Sequence, residues 1–295
     1  MEFESRFKSY QKMVEEGIGR FLPPDDTYPP VIHQAMNYSL KAGGKRLRPV
    51  LMLAAGEWSG IAPEKLLPAA VGVECLHTYS LIHDDLPAMD NDDFRRGKPT
   101  NHKVFGEAIA ILAGDALLTK AFELTAKTLE QGIPAERVVR AIQELAVASG
   151  SEGLIAGQVV DLSSNENKKD PEVLLYIHLN KTARLIRYSL IAGGILAGAT
   201  EEEIRALDDY GRHLGLAFQI VDDLLDVVGD FQKIGKPVGS DEKNQKLTYV
   251  SLFGIEETKK RAAEEVNAAK NVLKPYGEKS SFFIKLAEFI LKRES

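Results

Sequence analysis

Residues 218–228 read FQIVDDLLDVV, three aspartates set in an otherwise largely apolar run with no glycine or proline. At 3.6 residues per turn, Asp222 and Asp226 fall on one helix face a single turn apart, with Asp223 flanking. Ile220, Val221, Leu224 and Leu225 make the adjoining faces apolar, so such a helix is wrapped by others rather than laid on a surface. No basic residue lies within the stretch to neutralise the acids. Buried carboxylates without a partner are costly, so these three require a metal, a cation from elsewhere in the chain, or a solvent-filled cavity.

The rest of the chain repeats the helical pattern. Residues 29–44, 64–86, 106–132 and 134–162 all carry apolar side chains at three- and four-residue spacing. SLIAGGILAGA (189–199) is apolar on every face and reads as central. Asp170 before Pro171 forms a cap and first-turn pair, Thr200 with Glu203 a capping box, and Gly132 a turn between helices. Alternating strand patterns between hairpin turns are absent, and no polar break has the composition of an interdomain linker. The expectation is an all-α chain folded as one domain over residues 1–295.

The 295 residues suffice for a substantial core. A net charge of −6 lacks the basic excess of a nucleic-acid binder. The single cysteine, Cys75, excludes an intrachain disulfide and suits a reducing compartment. The first residues mix charges from the start, and no run of about 18 apolar residues exists, so a cytoplasmic protein without a membrane span is expected.

A second acidic cluster, LIHDDLPAMDNDDFRRGKPTNH (81–102), holds five aspartates within ten positions. On an unbroken helix Asp90 would lie about 240° around from Asp84. Pro87 disfavours helix before it, so the chain is expected to turn near Pro87 and return Asp90 towards Asp84. Asp92 and Asp93 are assigned to shaping the loop. A calcium loop is excluded, because Arg95 stands at the turn-glycine position and no glutamate occupies the twelfth. Hard oxygen donors on two helices point to Mg2+ shared with a phosphate-bearing substrate. Lys45, Arg46 and Arg48 in AGGKRLRP, together with Arg95 and Arg96, supply cations for phosphate, arginine in bidentate fashion. Lys181, Lys236 and Lys246 are further candidates. AGGKR itself fails as a P-loop on glycine spacing and on the residue after lysine.

DDLPAMD and DDLLD on helices, with GGKRLRP upstream, GQVVD and KT between and GKPVGSD after, occur in the order that resembles the trans-isoprenyl diphosphate synthases. The resemblance runs from about Gly43 to Tyr249 and is nearest to bacterial short-chain enzymes of the farnesyl diphosphate synthase type, which share the two-residue insertion in the first motif. It implies a single large bundle of mostly antiparallel helices around a deep central cavity, the isoprenoid synthase fold, assembled as a homodimer. It implies Mg2+-dependent head-to-tail condensation of isopentenyl diphosphate with dimethylallyl or geranyl diphosphate. The ions number three per active site, with Mn2+ as an alternative.

Carried over by position, Asp84 and Asp90 ligate metal on one wall with Asp85 supporting, and Asp222 ligates metal on the facing wall with Asp223 and Asp226 in supporting or water-mediated roles. Arg95, Lys181, Thr182, Gln219, Lys236 and Lys246 contact the allylic diphosphate. Lys45, Arg48, His77 and Arg96 form the isopentenyl diphosphate pocket. Lys181, Thr182, Phe218, Gln219 and Lys236 surround the reacting carbons, and Gln158 and Asp161 are secondary polar contacts. Tyr79 and Ser80, the fifth and fourth residues before the first motif, set the cavity floor; an aromatic at the fifth implies a fifteen-carbon product. Geranylgeranyl and geranyl products are the alternatives.

Two departures stand out. Ala183 and Arg184 follow Lys-Thr where glycine is more usual, and Val250 stands where proline is frequent. A terpene cyclase is disfavoured because Lys45, Arg48 and Arg96 are intact. A non-catalytic subunit of a longer-chain synthase is disfavoured because no motif aspartate is lost.

Overall fold

The computed structural model describes residues 2–163, 170–228 and 247–293. They form α1 (Glu2–Phe21), α2 (Pro30–Leu40), α3 (Leu47–Trp58), α4 (Leu67–Asp84), α5 (Asn101–Phe105), α6 (Glu107–Ala126), α7 (Ala135–Ser149) and α8 (Leu154–Ser163). They continue with α9 (Pro171–Ile177), α10 (Arg184–Ala197), α11 (Glu201–Val228), α12 (Tyr249–Leu273) and α13 (Ser281–Leu291). Among the described residues, strand is confined to the two-residue pair β1 (Phe94–Arg95) and β2 (Lys98–Pro99). The all-α expectation holds.

The chain divides into two compact units, one comprising 1–142 with 195–197 and the other 143–194 with 198–295. In the first, α4 packs most extensively on α6 and is flanked by α1, α2 and α3. α4 is buried along almost its whole length. Arg46 begins α3 and is buried with it, its guanidinium meeting Glu74 of α4 at 2.7 Å, Glu15 of α1 at 2.7 Å and the Leu40 carbonyl at 2.6 Å. Of the three cations in the GGKRLRP stretch, this one is structural: each of its three guanidinium nitrogens has a protein acceptor where water is excluded.

In the second unit α11 packs chiefly on α12. Its 28 residues make it the longest described helix. The expected capping box closes its start, with the Glu203 amide donating to Thr200 Oγ1 at 3.2 Å and the Thr200 amide to Glu203 Oε2 at 3.0 Å. Asp170 caps α9 by accepting from the Glu172 amide at 2.8 Å.

Three features differ from the periodicity. The 134–162 pattern is two helices, separated by a turn holding Gly150 and Gly153. Residues 178–183 widen into a π-helical turn between α9 and α10. The β-pair is a hairpin in which Arg96 (φ 52°) and Gly97 (φ 74°) both take positive φ. Two such residues make the tight reverse turn that matches strand twist.

Candidate active site

In the first unit, α4 ends at Asp84 and the chain reverses through residues 85–90. The Asp90 amide donates to the Asp84 carbonyl at 2.9 Å, and the Met89 and Asn91 amides both reach Leu86. The reversal seats Asp84 and Asp90 at one place, both half-buried. Asp85 turns inward: its Oδ1 accepts from Arg95 Nε and Nη2, each at 2.6 Å. Asp92 lies 3.5 Å from the same guanidinium, and Asp93 pairs with Lys103 at 2.7 Å.

The hairpin sends Arg95 and Arg96 to different partners. Arg96 donates to the Gly43 carbonyl, and a side chain at Gly44 (φ 137°) would meet its guanidinium at 2.7 Å. Glycine therefore makes room for Arg96 and also adopts the backbone angle. Just past this loop, in the first turn of α3, Arg48 Nη1 donates to His77 Nε2 at 3.3 Å. This direction requires His77 to accept, and the surroundings enforce it. Burial first, then the charges of Arg48, Arg96, Arg95 and Arg46, hold the imidazole neutral well below its usual pKa. Lys45 is exposed on that loop, its carbonyl accepting from Gln11. Arg48 and Arg96 thus lie near enough to act on His77, while the Lys45 side chain stays exposed.

Tyr79 is buried on α4 with its ring edge-on to His83, centroids 5.5 Å apart. Burial, then the nearby Asp84 and Asp115, raise its phenol pKa. Ser80 donates to the His77 carbonyl at 2.8 Å.

The second unit carries the other set. Lys181 Nζ donates to Asp161 Oδ2 of α8 at 2.6 Å, and Thr182 Oγ1 donates to Gln219 Oε1 of α11 at 2.8 Å. Two glycines allow this. A Cβ on Gly157 of α8 would stand 2.3 Å from the Lys181 nitrogen, and one on Gly215 of α11 would stand 2.4 Å from Ala183 Cβ. The π turn is gripped between backbones that no larger residue permits. Gln158 lies beside Gly157 on α8.

Asp222 and Asp226 are half-buried on α11, whereas Asp223 is 3 % exposed. Asp223 Oδ1 accepts from Gln219 Nε2 at 3.1 Å and Oδ2 from the Tyr249 amide at 2.8 Å. His178, also buried, lies with Nε2 3.9 Å from Asp223 Oδ2 and stacks on Tyr249. Burial, then Lys181, depress the His178 pKa to about 3. Asp222 pairs with Arg293 at 3.1 Å, and that guanidinium sits 4.4 Å over the Phe218 ring. His178 and Arg293 were missed by the sequence reading: each is a lone residue far from the motifs it meets. Lys236 and Lys246 lie outside the described residues, as does GKPVGSD.

Asp84, Asp90, Asp222 and Asp226 offer the hard oxygen donors that Mg2+ takes. Among the described residues no three His, Cys, Asp or Glu side chains converge as a ready cluster. No helix among the described residues is long and apolar enough to cross a membrane.

Two aspartate sets, with arginine and lysine placed apart from them, are side chains suited to Mg2+ and to phosphate oxygens. Comparison with known proteins agrees. The family signature described as polyprenyl synthetase matches residues 29–280. The chain is 47% identical over 274 residues to a farnesyl diphosphate synthase of Geobacillus stearothermophilus, covering 93% of this chain and 92% of that one. It is 45% identical over 287 residues to a geranylgeranyl diphosphate synthase of Cyanophora paradoxa, covering 97% and 94%. The crystal structure of a geranyltransferase from Legionella pneumophila matches with TM-score 0.87 and 36% identity over 99% of this chain and 97% of that one. The chain belongs to the polyprenyl synthetase family, and its reaction class is head-to-tail prenyl chain elongation.

Proposed function

We propose that the protein is a farnesyl diphosphate synthase, joining isopentenyl diphosphate to dimethylallyl and then geranyl diphosphate and releasing inorganic diphosphate. The observation that carries the fifteen-carbon assignment is Tyr79, buried one turn before the end of α4 with its ring against His83. An aromatic there limits the depth available to a growing chain, and Ser80 completes the floor. The geranylgeranyl relative at 45% identity keeps a twenty-carbon product as the second reading.

Lys45, Arg48, His77 and Arg96 bind isopentenyl diphosphate. The neutral His77 orients Arg48 without adding a charge. Arg95, fixed by Asp85, and Lys181, fixed by Asp161, bind the allylic diphosphate with Lys236 and Lys246. Asp84 and Asp90 in one unit, and Asp222 and Asp226 in the other, would hold Mg2+, which would supply positive charge for the departing diphosphate. The allylic C1–O bond breaks with its electron pair going to diphosphate. The isopentenyl double bond attacks C1, and a proton lost to the departed diphosphate forms the new double bond. Thr182, Phe218 and Gln219 line the carbocation's surroundings and offer no strong nucleophile. Gln158 supports α8 beside Lys181.

We also propose one domain, since the family signature runs through both compact units. The homodimer that the resemblance implies is part of the same proposal. The test is to supply isopentenyl diphosphate with each allylic primer and Mg2+ and identify the products by mass.

A further inference from the structure

Neighbouring residues on a helix point about 100° apart, so Asp222 and Asp223 cannot share a direction. Asp222 keeps a side chain 36 % exposed, while Asp223 is enclosed between α11, the π turn and the start of α12. Three hydrogen bonds run through this enclosure: Thr182 Oγ1 to Gln219 Oε1, Gln219 Nε2 to Asp223 Oδ1, and the Tyr249 amide to Asp223 Oδ2. The Tyr249 amide opens α12, one of the donors a helix start leaves without an intrahelical acceptor. The buried His178 ring, stacked on Tyr249, packs against the same carboxylate.

The polarity of this chain is dictated from one end. A carboxylate oxygen accepts, so Gln219 presents its NH2 to Asp223 Oδ1 and its carbonyl to Thr182. Thr182 must then spend its proton on Gln219, leaving its lone pairs for the substrate side. We propose that Asp223 is a positioning residue: it anchors the first turn of α12 and, through Gln219, sets the direction of the Thr182 hydroxyl. The catalytic half rests on the reaction proposed above, but the structural half is tested without substrate or metal.

Asp223→Ala and Asp223→Asn separate the two halves. In metal-free protein, Asp223→Ala is expected to lower Tm by roughly 4 °C or more, through two lost hydrogen bonds. Hydrogen exchange in a peptide covering 249–253 is expected to rise at least about tenfold. Asp223→Asn keeps an acceptor for the Tyr249 amide, so its exchange there stays at the wild-type rate. A residue that only ligates metal predicts the opposite sign. Removing one of three clustered acids relieves repulsion, and both variants then melt at or above wild type with unchanged exchange; that result overturns the proposal.

The asparagine presents an NH2 to Gln219 and lets that amide invert, reversing the Thr182 hydroxyl. The expected kinetics are a lower kcat with an unchanged KM for isopentenyl diphosphate. Thr182→Val added to Asp223→Asn should cost little more, since both act through one hydroxyl. Fully additive losses contradict the coupling, whereas absence of turnover in the wild type strikes the reaction and leaves the anchor standing on its exchange data.

Discussion

Arg95 donates twice to Asp85, through Nε and Nη2 to one carboxylate oxygen, each at 2.6 Å. Two adjacent aspartates at the end of α4 therefore do different work. Asp84 stays half-open beside Asp90, and Asp85 fixes the direction of an arginine. Asp85→Ala should leave Arg95 with only the longer contact to Asp92 and mainly raise KM for the allylic substrate, while Asp84→Ala should mainly lower kcat. Steady-state kinetics with both substrates varied distinguishes the two.

The buried Arg46 predicts a stability effect away from the chemistry. Glu74→Ala removes the one buried carboxylate beside its guanidinium, leaving half-exposed Glu15 and the Leu40 carbonyl, and should cost about 3–5 kcal/mol in urea unfolding. Replacing Arg46 and Glu74 together with apolar residues should recover much of that loss, because no charge is then left in the core.

His77 predicts a pH dependence. Its folded pKa is depressed by burial and by four arginines, so folding favours the neutral form. The unfolded state binds the proton first, near pH 6.5, so this contribution is complete above that value and shrinks as pH falls below it. His77→Gln keeps an acceptor for Arg48 and does not titrate. Its Tm should fall less than that of wild type between about pH 7.5 and pH 5.5.

The π turn predicts a contrast between glycines. Gly157→Ala drives a methyl into the Lys181 backbone, and overpacking of this kind costs about 1–3 kcal/mol. It should also lower kcat, because Lys181 and Thr182 move with the turn. Gly19 on α1 has nothing within 4 Å of an added Cβ, so Gly19→Ala should stabilise the helix by about 0.5–1 kcal/mol and leave turnover alone.

Much of this was legible in the sequence because it rests on local rules. Pro87 announced the turn that brings Asp90 back to Asp84, and the Thr200–Glu203 pair announced the start of α11. The β-hairpin was hidden because its first turn position is Arg96, a residue that takes positive φ only when tertiary contacts hold it there. The π turn was hidden for a similar reason: it depends on Gly157 and Gly215, far away in sequence. Counting charges marked Arg46 as a candidate phosphate ligand alongside Lys45 and Arg48, but only packing reveals Glu74 and Glu15 around it. Asp223 shows the same limit, since a three-aspartate motif does not disclose which carboxylate faces inward.

The most direct measurement of the central claim is the chain length of the product formed from isopentenyl diphosphate, Mg2+ and each allylic primer, in wild type and Tyr79→Ala. Fifteen carbons from wild type with either dimethylallyl or geranyl diphosphate, and longer chains from Tyr79→Ala, is the predicted result. No condensation with any primer contradicts the enzyme assignment, and an unchanged product distribution in Tyr79→Ala contradicts Tyr79 as the floor.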